Sequence, residues 1–350
     1  MTSAASVAKE RCRSCGIEVP PDFLACPACH ALVHSLRLKE LAAQAEAAEG
    51  ARDLAGALAR WREALPLVPA ASRQHEAIQS RLARLSARVD AGGAVAATAG
   101  PRRGRWAGVG GGVATGALLL WKLKFFLVGI LSKGKLLLLG LTKAGTLFSM
   151  VFALGAYWVA WGWRFAAGLV AMMYVHELGH VAALRRYGIP ASAPMFVPGV
   201  GAFVRLGQHP ARPGEDARIG LAGPIWGLAA TAVAWVAARA TGWPALLAVA
   251  HTGAWLNLFN LLPMWQLDGG RAFVALGRAH RAAAAAALLA GWFVARDGLL
   301  LVLALVAAAR ALEQGAPRES DRPVLAWFVG VAVVLAALAA LSGSPVPVAS

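Results

Sequence analysis

Residues 173–184, MYVHELGHVAAL, place two histidines and a glutamate in an apolar run, where each ionisable group costs about 3 kcal/mol at the bilayer centre. On a helix, His176 and His180 fall one turn apart on one face, with Glu177 beside the first. That is the HExxH spacing, in which two imidazoles hold Zn2+ and the carboxylate reaches a water on the metal. Histidines that bind a metal are neutral, so the apolar surroundings need not accommodate imidazolium charge. The alternative is a hydrogen-bonded histidine pair in a helix bundle, which the short motif alone does not exclude. A catalytic zinc also requires a third protein ligand and an open fourth position. NLFNLLPMWQLDGGR, residues 257–271, offers Asp268 just past an apolar run expected to return to the same side. Gly269 and Gly270 allow the backbone to turn tightly there. Two motifs expected at one depth favour the metal.

A second cluster lies near the N-terminus, where Cys12, Cys15, Cys26 and Cys29 form two C-x2-C pairs. In a reducing compartment this pattern reads as a structural tetrahedral zinc site, with a redox dithiol as the alternative. The knuckles CRSCG and CPACH carry small or turn-forming neighbours, and His30 and His34 are near enough to be substitute ligands. Residues 1–31 resemble the small zinc-ribbon modules found at the start of many prokaryotic proteins. Two zinc ions are thus expected, one structural and one catalytic.

The elements that must position these groups follow from composition. Hydrophobic residues make up 58% of the 350, more than one soluble core of this size holds. Apolar runs between residues 118 and 341 approach the roughly 20 residues that cross a hydrocarbon layer. They lack the two-residue alternation of barrel strands, so the fold class is an all-α polytopic membrane protein. Spans are expected at 146–163, 165–185, 217–238, 245–262 and 324–341. Residues 282–312 read either as one tilted helix or as two short helices meeting at Arg296–Asp297–Gly298.

Before the spans, residues 32–90 show helical periodicity with breaks near Gly50 and Pro66–Pro69. Ala57, Trp61, Ala64 and Pro69 match half of a tetratricopeptide repeat, so this soluble region is either a helical hairpin packing on itself or on the zinc module, or a surface for a regulatory protein. Residues 91–111 read as a linker, and 112–145 as interfacial helices with snorkelling lysines or, alternatively, a span. Residues 146–350 form the multi-pass domain. Lys and Arg number 34 against 18 Asp and Glu, but many of them flank apolar runs, which fits cytoplasmic loops and anionic lipid rather than nucleic acid. No secretory signal is legible in residues 1–19, so the N-terminus is expected in the cytosol of a bacterial cell, with the HExxH motif toward the cytosolic half of its span.

HExxH at 176–180, joined to the N-x2-P-x3-L-D-G pattern at Asn260, Pro263, Leu267, Asp268 and Gly269, resembles the site-2 protease family of intramembrane zinc metalloproteases. The resemblance covers about residues 146–281. It implies His176, His180 and Asp268 as zinc ligands, Glu177 as general base, and Asn260 orienting substrate or stabilising the developing oxyanion. It also implies a three-helix core at 165–185, 217–238 and 245–262, a Gly-Pro step in LAGP at 221–224, and a re-entrant hairpin at 194–206. The substrate implied is a transmembrane protein segment, locally unwound. Trp265 and Gln266 depart from the family's usual spacer and would shape substrate choice. A non-catalytic membrane scaffold and a metal transporter are the rival readings.

Overall fold

The computed structural model describes residues 10–20, 23–98, 144–197, 201–203, 208–317 and 320–343. Residues 112–143 of the expected interfacial region at 112–145, and residues 99–111 of the expected linker, lie outside the described residues.

The first unit is small. Strands β1 (Glu10–Arg11) and β2 (Glu18–Val19) pair antiparallel, and Cys12, Val19 and Cys26 make a private core with Ala31 and Val33 against it. Its two knuckles repeat one geometry. The N–H of Cys12 donates to the Ile17 carbonyl and that of Cys26 to the Ala31 carbonyl, both at 2.8 Å. The residue after each second cysteine, Gly16 or His30, has positive φ, 75° and 58°. Thus His30 occupies a backbone turn position, and His34 is the residue preceding the next helix.

Three helices follow: α1 (Ser35–Gly50), α2 (Leu54–Ala64) and α3 (Arg73–Thr98). Asp53 caps α2 by accepting from the Gly56 N–H, and Pro66 lies in a single 3-10 turn that ends it. The expected hairpin is therefore a three-helix unit. Its α3 also runs past residue 91, where a linker was expected to begin. Residues 91–98, AGGAVAAT, are half alanine, the best helix former, and Asp90 is anchored at 3.5 Å from Arg218. Trp61, 5% exposed, is part of a core built from Leu41, Leu58, Leu82 and Leu85. That core is completed by Leu184, Tyr187, Ile189 and Ile219 from the membrane domain. The three helices thus pack onto that domain.

Among the described residues the membrane domain is helical apart from one short hairpin and the loops: α4 (Ala144–Trp161), α5 (Trp163–Arg186), α6 (Pro213–Thr241), α7 (Pro244–Asn260), α8 (Asp268–Phe273), α9 (Arg278–Ala295), α10 (Gly298–Leu312) and α11 (Arg322–Ser342). By length and composition α5, α6 and α11 are long and apolar enough to cross a membrane, and α4 and α10 are shorter apolar helices. Gly162, with φ 83°, separates α4 from α5. Strands β3 (Met195–Val197) and β4 (Gly201–Phe203) pair antiparallel within the expected re-entrant segment, and Phe196 packs with Ala153 of α4 and Val170 of α5. Helices α5, α6 and α7 pack on one another, and α11 covers α6, α7 and α9. The main core lies there, around Leu258, Phe273, Phe328 and Leu335.

The region 282–312 is two helices. Arg296 adopts the left-handed conformation at φ 54° and stops α9, and the Asp297 carboxylate accepts from the N–H groups of Leu299 and Leu300 to start α10. An N-cap of this kind contributes about 1 kcal/mol. Asp297→Ala is expected to lower the unfolding midpoint in detergent by that amount of stability while metal content, read by atomic absorption, stays unchanged.

Candidate metal centre

Close approach of α5 and α6 creates the site. Gly179 lies between the two histidine turns, and a Cβ there would come within 2.4 Å of the Ala222 carbonyl oxygen. Across the contact, a Cβ on Gly223 would stand 2.2 Å from His180 Nε2 and 2.6 Å from His176 Nε2. Glycine at 223 therefore leaves open the space into which both imidazoles point. The Gly-Pro step expected in the middle helix supplies it, because Pro224 follows directly within α6.

The third group arrives from the chain after α7. Asp268 begins α8, and the loop before it folds against the end of α7 so tightly that a Cβ on Gly269 would lie 1.9 Å from the Leu261 carbonyl oxygen. Asp268 Oδ2 lies 3.1 Å from His176 Nε2 and Oδ1 lies 3.3 Å from His180 Nε2. The two Nε2 atoms are 3.1 Å apart. All three side chains are buried, and their donor atoms fall within 4.8 Å of one another.

Hydrogen bonds on the far side of each ring fix which nitrogen is free. His176 Nδ1 is 2.8 Å from Asn257 Oδ1, and the orientation of that amide is set by Asn257 Nδ2 donating to the Gly253 carbonyl at 2.7 Å. His180 Nδ1 is 2.8 Å from the Ile219 carbonyl oxygen. Both partners only accept, so both Nδ1 atoms carry the proton in the neutral ring. Each Nε2 is then left as a bare lone pair aimed at the Asp268 carboxylate. Neutral rings in that state have no proton to share with each other, whereas a divalent cation accepts from all three groups. The donor set of two imidazoles and one carboxylate, backed by outer hydrogen bonds, fits zinc.

Glu177 is buried beside the pair at 5% exposure. Asn260 is the half-buried last residue of α7. Asn257, one turn earlier, hydrogen-bonds His176, a contact that sequence reasoning passed over. Its signal was present: two asparagines three apart near the end of an apolar helix, each costly without a partner. Helix α6 makes room for it, since a Cβ on Gly227 would collide with its amide. Trp265, in the loop between α7 and α8, has φ 48° and a side chain 85% exposed.

The four cysteine sulfurs also converge within 4.8 Å. Cys12 and Cys29 sulfurs are 3.6 Å apart, as are those of Cys15 and Cys26. Backbone N–H groups of Cys15 and Ser14 pull the Cys12 thiol down to about 6, and that of Cys29 lowers Cys26, while the amides of Ile17 and Ala31 are outweighed by neighbouring sulfurs and burial, which raise Cys15 and Cys29. Amides aimed at sulfur favour the thiolate, the form that binds zinc. The cluster fits a zinc ribbon.

Residues 164–244, from the start of α5 to the start of α7, match Peptidase family M50. The chain is 33% identical over 167 residues to Rip3 of Mycobacterium tuberculosis, provisionally named a zinc metalloprotease, an overlap of 44% of this chain and 41% of Rip3. It is 30% identical over 108 residues to zinc metalloprotease MJ0392 of Methanocaldococcus jannaschii, covering 29% of this chain and 31% of that protein. The chain thus spans about two-fifths or less of the length of these curated relatives. No solved structure matches it. The M50 segment contains HExxH and Gly223, while Asp268, Asn257 and the cysteine ribbon lie outside it.

Two substitutions test the geometry. Gly223→Val fills the space between the two Nε2 atoms and is expected to abolish metal at this centre while the cysteine cluster keeps its own, so zinc per chain falls by one equivalent. Asn257→Ala removes the acceptor that holds His176, and a loss of about 10-fold to 100-fold in zinc affinity is expected, read by chelator competition.

Proposed function

We propose that the chain is an intramembrane zinc metalloendopeptidase that cleaves peptide bonds in or near transmembrane segments of membrane proteins. The observation that carries this reading is the convergence of His176, His180 and Asp268, with both Nδ1 protons committed to acceptors, inside a helical domain with membrane-length helices. Zinc is held there by His176 Nε2, His180 Nε2 and an Asp268 oxygen, and a second zinc by Cys12, Cys15, Cys26 and Cys29. The catalytic ion supplies Lewis acidity toward the scissile carbonyl and makes a water nucleophilic near neutral pH.

The protein groups do the rest. Glu177 takes the proton of the attacking water and returns it to the departing amine, as a general base then acid. Asn260, at the end of α7, donates its amide toward the carbonyl oxygen as negative charge develops. Asp268, at the N-terminus of α8, keeps its charge beside the positive end of a helix. The substrate must present an unwound stretch, because helical hydrogen bonds occupy its carbonyls. The exposed Trp265 stands beside Asp268 in sequence and is the contact through which side chains near the cut are selected.

Charge supports a cytosolic placement of the site in a bacterial cytoplasmic membrane. Arg185, Arg186, Arg212, Arg218, Arg271, Arg278, Arg310 and Arg322 cluster at the helix ends nearest the centre, against Arg164, Arg239 and Arg296 at the other end, the distribution of the positive-inside rule. The N-terminal ribbon and helices then face the cytosol, where a regulatory protein would reach them.

Glu177→Gln decides the chemistry. Purified in detergent and mixed with a transmembrane substrate, this variant is expected to lose cleavage by at least about 100-fold, the scale of general-base catalysis, with both zinc ions retained. Wild-type cleavage in that variant would sink the protease reading and leave a scaffold or transporter.

A further inference from the structure

Arg62 lies more than a hundred residues before the HExxH motif, yet the membrane domain supplies its polar partners. The side chain is 3% exposed. Its Nε donates to the Tyr187 carbonyl at 3.2 Å, Nη1 to the His209 carbonyl at 3.4 Å, and Nη2 to Glu215 Oε2 at 2.7 Å. Glu215 is fully buried, in the first turn of α6, where it also accepts from the Ala211 N–H at 2.9 Å. A helix N-terminus favours that carboxylate, but at zero exposure it also needs a full counter-charge. Tyr187 caps the C-terminus of α5. One guanidinium therefore ties the last turn of the helix bearing HExxH to the first turn of the helix bearing Gly223.

The same contact reaches the histidines within one turn. Ile219 follows Glu215 by one turn of α6, and its carbonyl is the acceptor for His180 Nδ1. Leu184 follows His180 by one turn of α5. Both Leu184 and Ile219 are buried in the core of α1–α3. Gly188, with φ 63°, completes a Schellman turn at the end of α5: its N–H donates to the Arg185 carbonyl, and that of Ile189 to the Leu184 carbonyl. A Cβ on Gly188 would stand 2.3 Å from the Ala55 carbonyl oxygen of α2, so the helix backbone is seated directly on this turn.

We propose that Arg62 is a positioning residue for the metal centre: docking of α2 through Arg62 sets the spacing of α5 and α6, and with it the direction of the His180 lone pair. The proposal rests on the reading of His176, His180 and Asp268 as a zinc site. It makes the cytosolic helices a working part of that centre, through which an event on their surface changes metal affinity.

The test uses the full chain in detergent. Zinc held against a graded chelator series is measured for wild type and Arg62→Met, with His176→Ala protein giving the contribution of the cysteine ribbon. Arg62→Met is expected to hold the catalytic zinc about tenfold more weakly, with ribbon zinc unchanged and kcat reduced more than KM. Arg62→Lys, which cannot reach three acceptors at once, is expected to fall between. Arg62→Met with Glu215→Gln should lose less than the product of the two single losses. Leu41→Ala, which loosens the same core without touching the clamp, is expected to keep wild-type zinc affinity. Wild-type zinc affinity in Arg62→Met overturns the proposal, and so does an equal loss in Leu41→Ala, since either result reduces Arg62 to a packing role. Should Arg62→Met fail to fold, Arg62→Lys and Glu215→Gln carry the same comparison, with wild-type affinity in both overturning it. Two zinc ions retained by His176→Ala would instead refute the metal-centre reading itself.

Discussion

An imidazole buried among helices must commit one nitrogen to an acceptor before the other is reliably bare, and the arrangement of α5, α6 and α7 is organised around that requirement. His176 and His180 belong to one helix, but the acceptors that orient them come from two others: the Asn257 amide of α7 and the Ile219 carbonyl of α6. An isolated α5 would leave both rings free to rotate and both tautomers accessible. The centre is therefore a property of three helices in contact, and Asp268 adds a fourth element at the junction of α7 and α8. This distribution explains why small residues recur at the crossings. Gly179, Gly223 and Gly227 are places where a methyl group would meet a carbonyl, the histidine Nε2 atoms or the Asn257 amide.

Close helix approach in lipid is driven by packing and hydrogen bonding, since the surrounding chains are as apolar as the helix faces. Here the glycine contacts and the buried asparagine lie at the same crossing, so packing and polar contacts reinforce each other. The cysteine ribbon uses a different economy. It has few apolar residues to bury, and two repeated backbone turns aim amides at sulfur instead. In a unit of that size a bound metal can take the place of a hydrophobic core.

The chemistry-bearing residues were legible in sequence because their types are costly in their surroundings. Two histidines in an apolar run and four paired cysteines require an explanation that ordinary packing does not provide. The helix break at Arg296–Asp297 was visible as a possibility and undecided, because periodicity does not distinguish one interrupted helix from two. Asn257 was missed since its role depends on which face of α7 meets α5, a relation between helices that no local pattern encodes. The extent of α3 was also misjudged. Glycine and alanine after Asp90 read as a linker, but alanine content and the anchoring of Asp90 by Arg218 favour continued helix. Least legible was the seat of α1–α3. Leu184 read as the end of a span and Tyr187 and Ile189 carried no assignment, whereas all three are the floor on which the soluble helices rest.

That shared floor has a consequence for synthesis. Residues 35–98 leave the ribosome roughly 120 residues ahead of Ile219, so at about 5–20 residues per second their apolar face waits roughly 6–24 s for its last docking partner. Until Leu184, Tyr187 and Ile189 emerge, Trp61 and its neighbours are sheltered only by one another. The nascent chain is most vulnerable to aggregation and proteolysis before the second half of the membrane domain inserts, and truncations ending before residue 219 inherit that exposed state permanently.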